Sequence, residues 1–212
     1  MRILVIGANG KIGRILAPGL LAAGFTPVAM VRNPAQEPHF ESQGIETVVA
    51  DLESSIDHAF QGCEAAIFTA GSGGKTGADK TMIVDLYGAL RSIDAAKKAG
   101  VKRFDMVSAL KAHDPLSGPE RIHHYLIAKH VADDYVMRSG LDYFVLRPGG
   151  LTDEPGGGGV TLVEACPDRT GSIPRADVAG VLIEGLKQGL RGKVLELVSG
   201  NTSVEDAVAG WV

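Results

Sequence analysis

The chain has 212 residues, of which 45% are hydrophobic and 22% charged, and its net charge is -4 at pH 7. This size and composition are typical of one globular domain and exclude a disordered chain. The negative charge, with no run of more than two adjacent basic residues, argues against a nucleic-acid or anionic-membrane partner.

We also predict no membrane span and no secretion signal. No stretch reaches the roughly 18 uncharged apolar residues that cross a bilayer. Lys11 and Arg14 interrupt the apolar segment at the start of the chain. Cys63 and Cys166 lack the spacing of metal ligands, so we expect reduced thiols in a cytoplasmic protein, and no metal site.

Short β-branched runs alternate along the chain with longer segments of helical period, which indicates a parallel sheet covered by helices. Seven strands are predicted at residues 2–6, 27–31, 45–50, 65–69, 102–107, 142–147 and 194–198. Helices are predicted at residues 11–23, 34–43, 55–60, 79–99, 120–139 and 176–188. The fold predicted for residues 1–212 is an α/β single domain: a three-layer, doubly wound Rossmann fold with a seven-stranded, mainly parallel sheet and no large second domain.

The alternation is interrupted between the last two predicted strands. Residues 148–162 read PGGLTDEPGGGGVTL, with six glycines, two prolines and two acids. A segment so rich in glycine is ordered only by its contacts, so residues 148–175 are either a small substrate-side region or a surface excursion. The role of the glycine-rich loop 155–159 stays open at this point.

The first predicted turn carries the sequence GANGKIG between an apolar strand and a helix. Its spacing is GxxGxxG, a variant of the GxGxxG dinucleotide fingerprint. Glycines allow a sharp turn and close approach to a pyrophosphate, whose charge meets the free N–H groups of the helix start. The alternative is a tight turn without a ligand. The predicted dinucleotide site comprises Gly7, Asn9, Gly10, Lys11, Ile12 and Gly13, with Arg14 as a secondary phosphate contact.

Residues at three further strand ends are expected to complete this site. Arg32 follows the second strand, where NAD enzymes carry an acid for the ribose 2′-hydroxyl. A guanidinium can bind a 2′-phosphate, so Arg32 favours NADP over NAD, unless it is only a solvated charge. Asp51 and Leu52 are expected near the adenine, and Ala70 and Gly71 near the middle of the cofactor.

A second group of polar residues indicates hydride-transfer chemistry. Tyr125 and Lys129 stand four residues apart on a predicted helix, and Ser108 ends the fifth strand. A phenol can protonate a carbonyl oxygen, a neighbouring ammonium lowers the phenol pKa, and a serine hydroxyl can hold the same oxygen. In the alternative, Tyr125 is a half-buried helix aromatic and Lys129 a solvated partner of Asp133.

Together these segments resemble the short-chain dehydrogenase/reductase superfamily over essentially the whole chain. They look like its atypical subgroup, related to NmrA-like proteins and NAD-dependent epimerase/dehydratases, in GANGKIG, VRN, DL, MVSA, YLIAK, RPGGLTDEP and IPRADVA. The resemblance implies NADP as cofactor and catalytic roles for Ser108, Tyr125 and Lys129. It also implies that Lys129 holds the nicotinamide ribose and that Arg147, Pro148 and Gly149 lie beside the nicotinamide.

The resemblance places Asp85 where full-length relatives carry the asparagine of a proton relay. A carboxylate accepts hydrogen bonds but cannot donate one as an amide does unless it is protonated. Asp85 is therefore included among the catalytic residues, and the working of the relay is left open.

These observations predict an NADP-dependent oxidoreductase that transfers hydride to or from a small carbonyl or alcohol, as a monomer or homodimer. An NADPH-binding redox sensor of the NmrA type, without turnover, is the alternative that Asp85 favours. A nucleotide-sugar epimerase is a third possibility, but the segment after the sixth strand is short for a sugar-binding lobe.

Overall fold

Strands and helices alternate from the first residues of the chain. A computed structural model describes residues 1–74, 76–157, 159–166 and 170–212. The strands are β1 Arg2–Ile6, β2 Thr26–Val31, β3 Glu46–Val49, β4 Ala65–Phe68, β5 Arg103–Val107, β6 Asp142–Pro148, β7 Gly150–Thr152, β8 Gly159–Val163, β9 Ser172–Pro174, β10 Lys193–Ser199 and β11 Thr202–Ser203. The α-helices are α1 Gly13–Ala22, α2 Glu37–Glu41, α3 Ala78–Lys80, α4 Gly88–Ala99, α5 His123–Met137, α6 Arg175–Lys187 and α7 Val204–Ala209.

Among the described residues, nine strands form one sheet in the order β11-β8-β10-β6-β5-β4-β1-β2-β3. The seven strands from β10 to β3 pair in parallel, and these are the seven predicted strands. The doubly wound fold is confirmed. The strand number is corrected from seven to nine, because β8 and β11 extend the β10 edge in antiparallel pairing. β7 and β9 form a separate two-stranded parallel sheet.

Helices cover both faces of the sheet, because parallel strands are apolar on both sides. α1 and α6 lie on one face, where Leu16 and Leu182 are fully buried. α4 and α5 lie on the other, where Ile93 and Val136 are fully buried. These are the three layers of the predicted fold.

Three predicted helices differ from the structure. Residues 34–43 form a 3-10 turn, Pro34–Gln36, and the short α2, because Pro38 has no N–H to continue a helix through this segment. Residues 55–60 contain only the 3-10 turn Asp57–Phe60. The predicted helix 79–99 contains a π-helix, Thr81–Tyr87, between α3 and α4. No helix of the described ranges is long and apolar enough to cross a membrane.

The glycine-rich segment after β6 packs against the rest of the domain. Asp177, in the first turn of α6, accepts a hydrogen bond from the Gly157 N–H at 3.2 Å. A Cβ at Gly156 would lie 2.8 Å from an oxygen of the same carboxylate. Gly156 therefore permits a close approach to α6 that a larger residue would prevent. Of the predicted region 148–175, residues 158 and 167–169 lie outside the described residues.

Candidate functional site

The glycine turn at the end of β1 is held by backbone contacts that leave no room for side chains. Gly7 has a φ of +83°, a conformation that favours glycine, and a Cβ there would lie 2.7 Å from the backbone of Ala70. A Cβ at Gly13 would lie 2.5 Å from the carbonyl oxygens of Gly7 and Ala8. α1 then begins at Gly13, and no side chain caps its amino terminus. The N–H groups of Arg14 and Ile15 bond to the carbonyl oxygens of Gly10 and Ile12, so the predicted phosphate contacts would fall to the N–H groups that precede them.

This turn lies where the strand order reverses, since β1 stands between β2 and β4. Ligands of open α/β sheets bind in the crevice at such a point. Arg32, directly after β2, is exposed, and its side chain has no hydrogen bond or ion pair with any residue that the structure describes. Its guanidinium remains available to a phosphate, as the NADP prediction requires.

The predicted adenine and mid-cofactor residues occupy the ends of β3 and β4. Asp51 is half-buried, and its Oδ1 accepts a hydrogen bond from the Glu53 N–H at 2.9 Å. Leu52 is buried and lies against Gly88 at the start of α4. Ala70 contacts Gly7 across the β1–β4 pair. The strand topology thus brings this predicted set to the edge that holds the glycine turn.

Lys11 and Arg14, predicted as phosphate contacts, bind side chains of the protein in this structure. Lys11 forms an ion pair with Asp153, and Asp153 also pairs with Arg175 at the start of α6. Arg14 donates a hydrogen bond to Asn9 Oδ1 at 2.6 Å. The Lys11–Asp153–Arg175 bridge joins the glycine turn to the segment after β6, and phosphate contacts of Lys11 and Arg14 remain a prediction.

Helix α5 carries Lys129 into the interior of the protein. Its Nζ donates a hydrogen bond to the carbonyl oxygen of Val107 at 3.1 Å and lies 3.8 Å from Asp85 Oδ1. Burial lowers the pKa of Lys129, while Asp85 and Asp133 oppose this change. The alternative of a solvated Lys129 paired with Asp133 is wrong, because Lys129 is buried and Asp133 pairs with Arg147.

Tyr125 lies one turn before Lys129 on the same helix. The Lys129 Nζ is 5.8 Å from the centroid of the Tyr125 ring. We expected Lys129 to lower the pKa of the phenol, but burial raises the Tyr125 pKa, and the carboxylates of Asp85 and Asp133 raise it further. The expected direction is therefore corrected: burial is the main cause of the raised pKa, and the two carboxylates add to it.

Asp85 lies in the π-helix Thr81–Tyr87 and is almost completely buried. Its Oδ2 accepts a hydrogen bond from the Ser72 N–H at 2.9 Å, and its Oδ1 faces Lys129. A Cβ at Gly71 would approach the same Oδ1 to 3.1 Å. π-Helical turns within helices often mark functional sites. The structure therefore places the carboxyl group of Asp85 beside Lys129.

Ser108 follows β5, and its N–H donates a hydrogen bond to the carbonyl oxygen of Leu146 on β6 at 2.7 Å. Behind it, Arg147 Nε donates to Asp133 Oδ2 at 2.8 Å, and both side chains are buried. Ser108 Oγ and Asp133 Oδ1 are also buried, and neither has a hydrogen-bond partner of ordinary geometry among the described residues. The Ser108 hydroxyl is nevertheless near enough to stabilise the Asp133 carboxylate.

Asp133 and Arg147 lie outside the catalytic group predicted from the sequence. A signal was present for Asp133, because Tyr125, Lys129 and Asp133 continue one four-residue spacing along the helix. No signal links Lys11 to Asp153, since their contact depends on how the segment after β6 folds back.

Pro148 and Gly149 end the strand that carries Arg147. Pro148 is buried, and the Gly149 N–H donates to the carbonyl oxygen of Leu197 on β10 at 2.9 Å. A Cβ at Gly149 would lie 2.5 Å from the carbonyl oxygen of Gly171. Gly149 therefore lets the segment after β9 approach the end of β6, and its place beside a nicotinamide stays a prediction.

Comparison with known proteins identifies the family of the chain. Residues 7–189 match the family model described as NAD(P)H-binding. The chain belongs to the NAD(P)H-binding family. The predicted resemblance to the atypical, NmrA-like short-chain dehydrogenase/reductases is confirmed, and a nicotinamide cofactor is supported without distinguishing NADP from NAD.

Several relatives of this NAD(P)H-binding protein match over nearly its whole length. The uncharacterized sugar epimerase YhfK of Bacillus subtilis is 44% identical, over 98% of this chain and 99% of that protein. A candidate NAD-dependent epimerase/dehydratase of Bacillus halodurans has a similar structure, with 46% identity, a TM-score of 0.96 and 99% of both chains covered.

Two further solved structures are described as oxidoreductases. The oxidoreductase ylbE of Lactococcus lactis is 30% identical, with a TM-score of 0.89, and covers 99% of this chain and 96% of its own. ChuY, an anaerobilin reductase of Escherichia coli O157:H7, is 26% identical, with a TM-score of 0.82 over 96% of this chain and 99% of its own.

Proposed function

We propose that this NAD(P)H-binding protein is an NADP-dependent reductase of a small carbonyl compound, with Tyr125 as the proton donor. The observation that carries the proposal is the convergence of α5 on the end of β5. Lys129, one turn after Tyr125, bonds to the carbonyl of Val107, the residue before Ser108. The oxidoreductase and reductase descriptions of ylbE and ChuY support the same reaction class.

The residues of this group suit the reductive direction. The bound nicotinamide supplies the hydride, and the substrate oxygen then needs a proton. Tyr125, whose pKa is raised by burial, stays protonated at neutral pH and can donate that proton. Ser108 can hydrogen-bond the same oxygen, while the buried Lys129 ammonium stabilises the phenolate that remains.

A redox sensor without turnover is the second candidate, and one observation favours it. The Lys129 ammonium lies 3.8 Å from Asp85, so part of its charge is already balanced by a carboxylate. Proton transfer from Tyr125 would receive less help in such a site. In that case the protein would bind the reduced cofactor and report on it through a partner.

A sugar epimerase is the third candidate, because the relative YhfK carries that description. In the described part of the chain after β6, short strands and the helices α6 and α7 pack onto the same sheet, without a separate lobe for a sugar nucleotide. An epimerase would also return its hydride to the substrate, with no net consumption of NADPH.

The substitution Tyr125→Phe tests the proposal. We expect kcat for NADPH oxidation with a panel of small aldehydes, ketones and quinones to fall about 100-fold or more, because the phenolic proton is lost. NADPH affinity, measured by fluorescence titration, should stay within about twofold. Tyr135→Phe is the matched control, since Tyr135 is on the same helix and donates to Asp94 at 2.7 Å.

Each candidate function gives a different result. Turnover that survives Tyr125→Phe would show that Tyr125 is not the acid. Tight NADPH binding without oxidation by any carbonyl of the panel would favour the sensor. Interconversion of sugar nucleotides without net NADPH loss would favour the epimerase.

A further inference from the structure

Two buried oxygens behind the candidate active site have unused hydrogen-bonding capacity. Ser108 Oγ and Asp133 Oδ1 have no partner of ordinary geometry within the described ranges. Their residues are 3% and 0% exposed, so water at the surface does not satisfy them. Buried polar atoms of this kind are rare in folded proteins and call for a functional or structural reason.

The position of Asp133 is fixed from the opposite side of its carboxylate. Arg147 Nε binds Asp133 Oδ2 at 2.8 Å, which leaves Oδ1 as the oxygen available to Ser108. Ser108 is next to Arg147 in the sheet, because its N–H binds the carbonyl of Leu146 on the neighbouring strand. The Ser108 hydroxyl also stabilises the Asp133 carboxylate, so the two unpartnered oxygens are neighbours.

The protonation state of Asp133 determines whether Ser108 donates or accepts the hydrogen bond between them. An ionised carboxylate only accepts, so a serine that donates to it presents lone pairs to the active site. That serine accepts a hydrogen bond from a substrate hydroxyl. A protonated carboxyl instead donates to the serine, whose own O–H is then free to donate to a carbonyl oxygen.

We propose that Asp133 is a positioning residue whose protonation state sets the direction of the Ser108 hydrogen bond, and with it the preference of the site for a carbonyl or an alcohol. The preference for one substrate form over the other rests on the reductase function proposed above. The Ser108–Asp133 contact does not.

Groups from three parts of the fold stabilise the Asp133 carboxylate: two are charged and one is a hydroxyl. Arg147 on β6 favours the carboxylate, Lys129 on α5 does so more weakly, and the Ser108 hydroxyl after β5 also stabilises it. Burial acts against all three and raises the pKa of Asp133 above its ordinary value. Tyr125, on the same face of α5, is neutral, and Asp85 faces Lys129 on the far side. The proton on Asp133 is therefore lost at a higher pH than that of an exposed aspartate.

The contact is tested without turnover by following the titration of Asp133 with carboxyl ¹³C NMR on the full chain. Ser108→Ala removes the donor, so we expect the Asp133 pKa to rise by roughly 0.5–1 unit. Ser92→Ala is the matched control, because Ser92 is a buried serine that donates to the Gly88 carbonyl within its own helix. An unchanged Asp133 titration in Ser108→Ala would overturn the inference.

The substrate preference is tested with cyclohexanone and cyclohexanol as a matched pair of probes. Cyclohexanone is titrated into the NADP⁺-loaded protein and cyclohexanol into the NADPH-loaded protein, so that no hydride moves during the NMR measurement. We expect the ketone-to-alcohol affinity ratio to rise severalfold as the pH falls through the Asp133 pKa. In Asp133→Asn, whose amide can donate to Ser108 at any pH, the ratio should stay high and constant.

The results separate this inference from the proposed function. A shifted Asp133 titration with no NADPH oxidation on any carbonyl would reject the reductase and retain the contact. A pH-independent probe ratio in the unmodified protein, or no binding of either probe, would reject the role of Asp133 in substrate preference.

Discussion

Arg32 is the residue on which the proposed preference for NADP rests. Nothing in the described structure neutralises its guanidinium, and the adjoining Asn33 uses its side chain to cap the next turn. An unpaired arginine at the end of β2 is placed where a ribose 2′-phosphate binds in Rossmann folds. Its charge is unopposed by an acid at that strand end, so it can form charge-assisted hydrogen bonds to a phosphate.

Replacing Arg32 by Ala should therefore weaken NADPH binding and leave NADH binding unchanged. Charge-assisted hydrogen bonds contribute about 1.5–3 kcal/mol, which corresponds to roughly a 10- to 150-fold rise in Kd for NADPH. Fluorescence titration with both coenzymes measures the ratio. Arg138→Ala is the control, since Arg138 is an exposed arginine paired with Asp134 on α5. Equal losses for NADPH and NADH would contradict the assignment.

At the scale of elements, the β1–α1 junction is the one whose structure depends most strictly on its residue types. The strand, the turn and the helix follow from the apolar run and the GxxGxxG spacing, and the structure has all three. The π-helix Thr81–Tyr87 was not predictable from the sequence. A π-helical turn contains an extra residue, and the apolar periodicity of a helix does not reveal where that residue is inserted. It is associated here with tertiary contacts of Asp85 to Ser72 and Lys129.

Gly13→Ala should disrupt this junction. Its Cβ would lie 2.5 Å from two backbone carbonyl oxygens, so the turn must move and the first N–H groups of α1 with it. We expect at least about tenfold weaker binding of NADPH and NADH alike, together with a lower midpoint of thermal unfolding. Gly157→Ala is the comparison variant, because a Cβ there would have no atom within 4 Å. Unaltered coenzyme binding in Gly13→Ala would contradict the role of the turn.

At the scale of the whole molecule, the parallel core was predictable and its edge was not. Seven apolar runs separated by helical segments determine seven parallel strands, since each crossover helix returns the chain in the same direction. β8 lies within the glycine-rich segment, and β11 has two residues, so neither has a usable pattern. Among site residues, Tyr125 and Lys129 were evident from their spacing. The Arg147–Asp133 pair was not, because it depends on β6 packing against α5.

The stability of the whole domain should depend on the buried Asp105 in β5. Burial raises the pKa of Asp105 to about 6, although Arg103 binds its carboxylate at 2.9 Å. Because this folded-state pKa lies above the unfolded value of 3.8, ionisation of Asp105 opposes folding. The ionisation of Asp105 therefore lowers the free energy of unfolding above pH 6. This loss of stability is reversed as the pH falls through 6 toward 3.8.

Asp105→Asn should accordingly raise the free energy of unfolding at pH 7 by about 1–3 kcal/mol, with a gain that fades toward pH 4. Urea titrations at several pH values measure this difference. Asp134→Asn removes an exposed carboxylate for comparison. A variant that is destabilised equally at pH 7 and pH 5 would show that the Arg103 ion pair outweighs the cost of burial.

The position of β1 in the sheet also bears on how the protein is made. β1 pairs with β2 and β4, and these strands, with β3, all lie within the first 68 residues. Ser108, Tyr125 and Lys129 belong to segments that leave the ribosome afterwards, at roughly 5–20 residues per second. We expect the glycine turn and Arg32, proposed to bind the phosphates of the coenzyme, to be synthesised before the residues proposed for the nicotinamide ribose and for proton transfer, so that nascent chains acquire the two groups in that order.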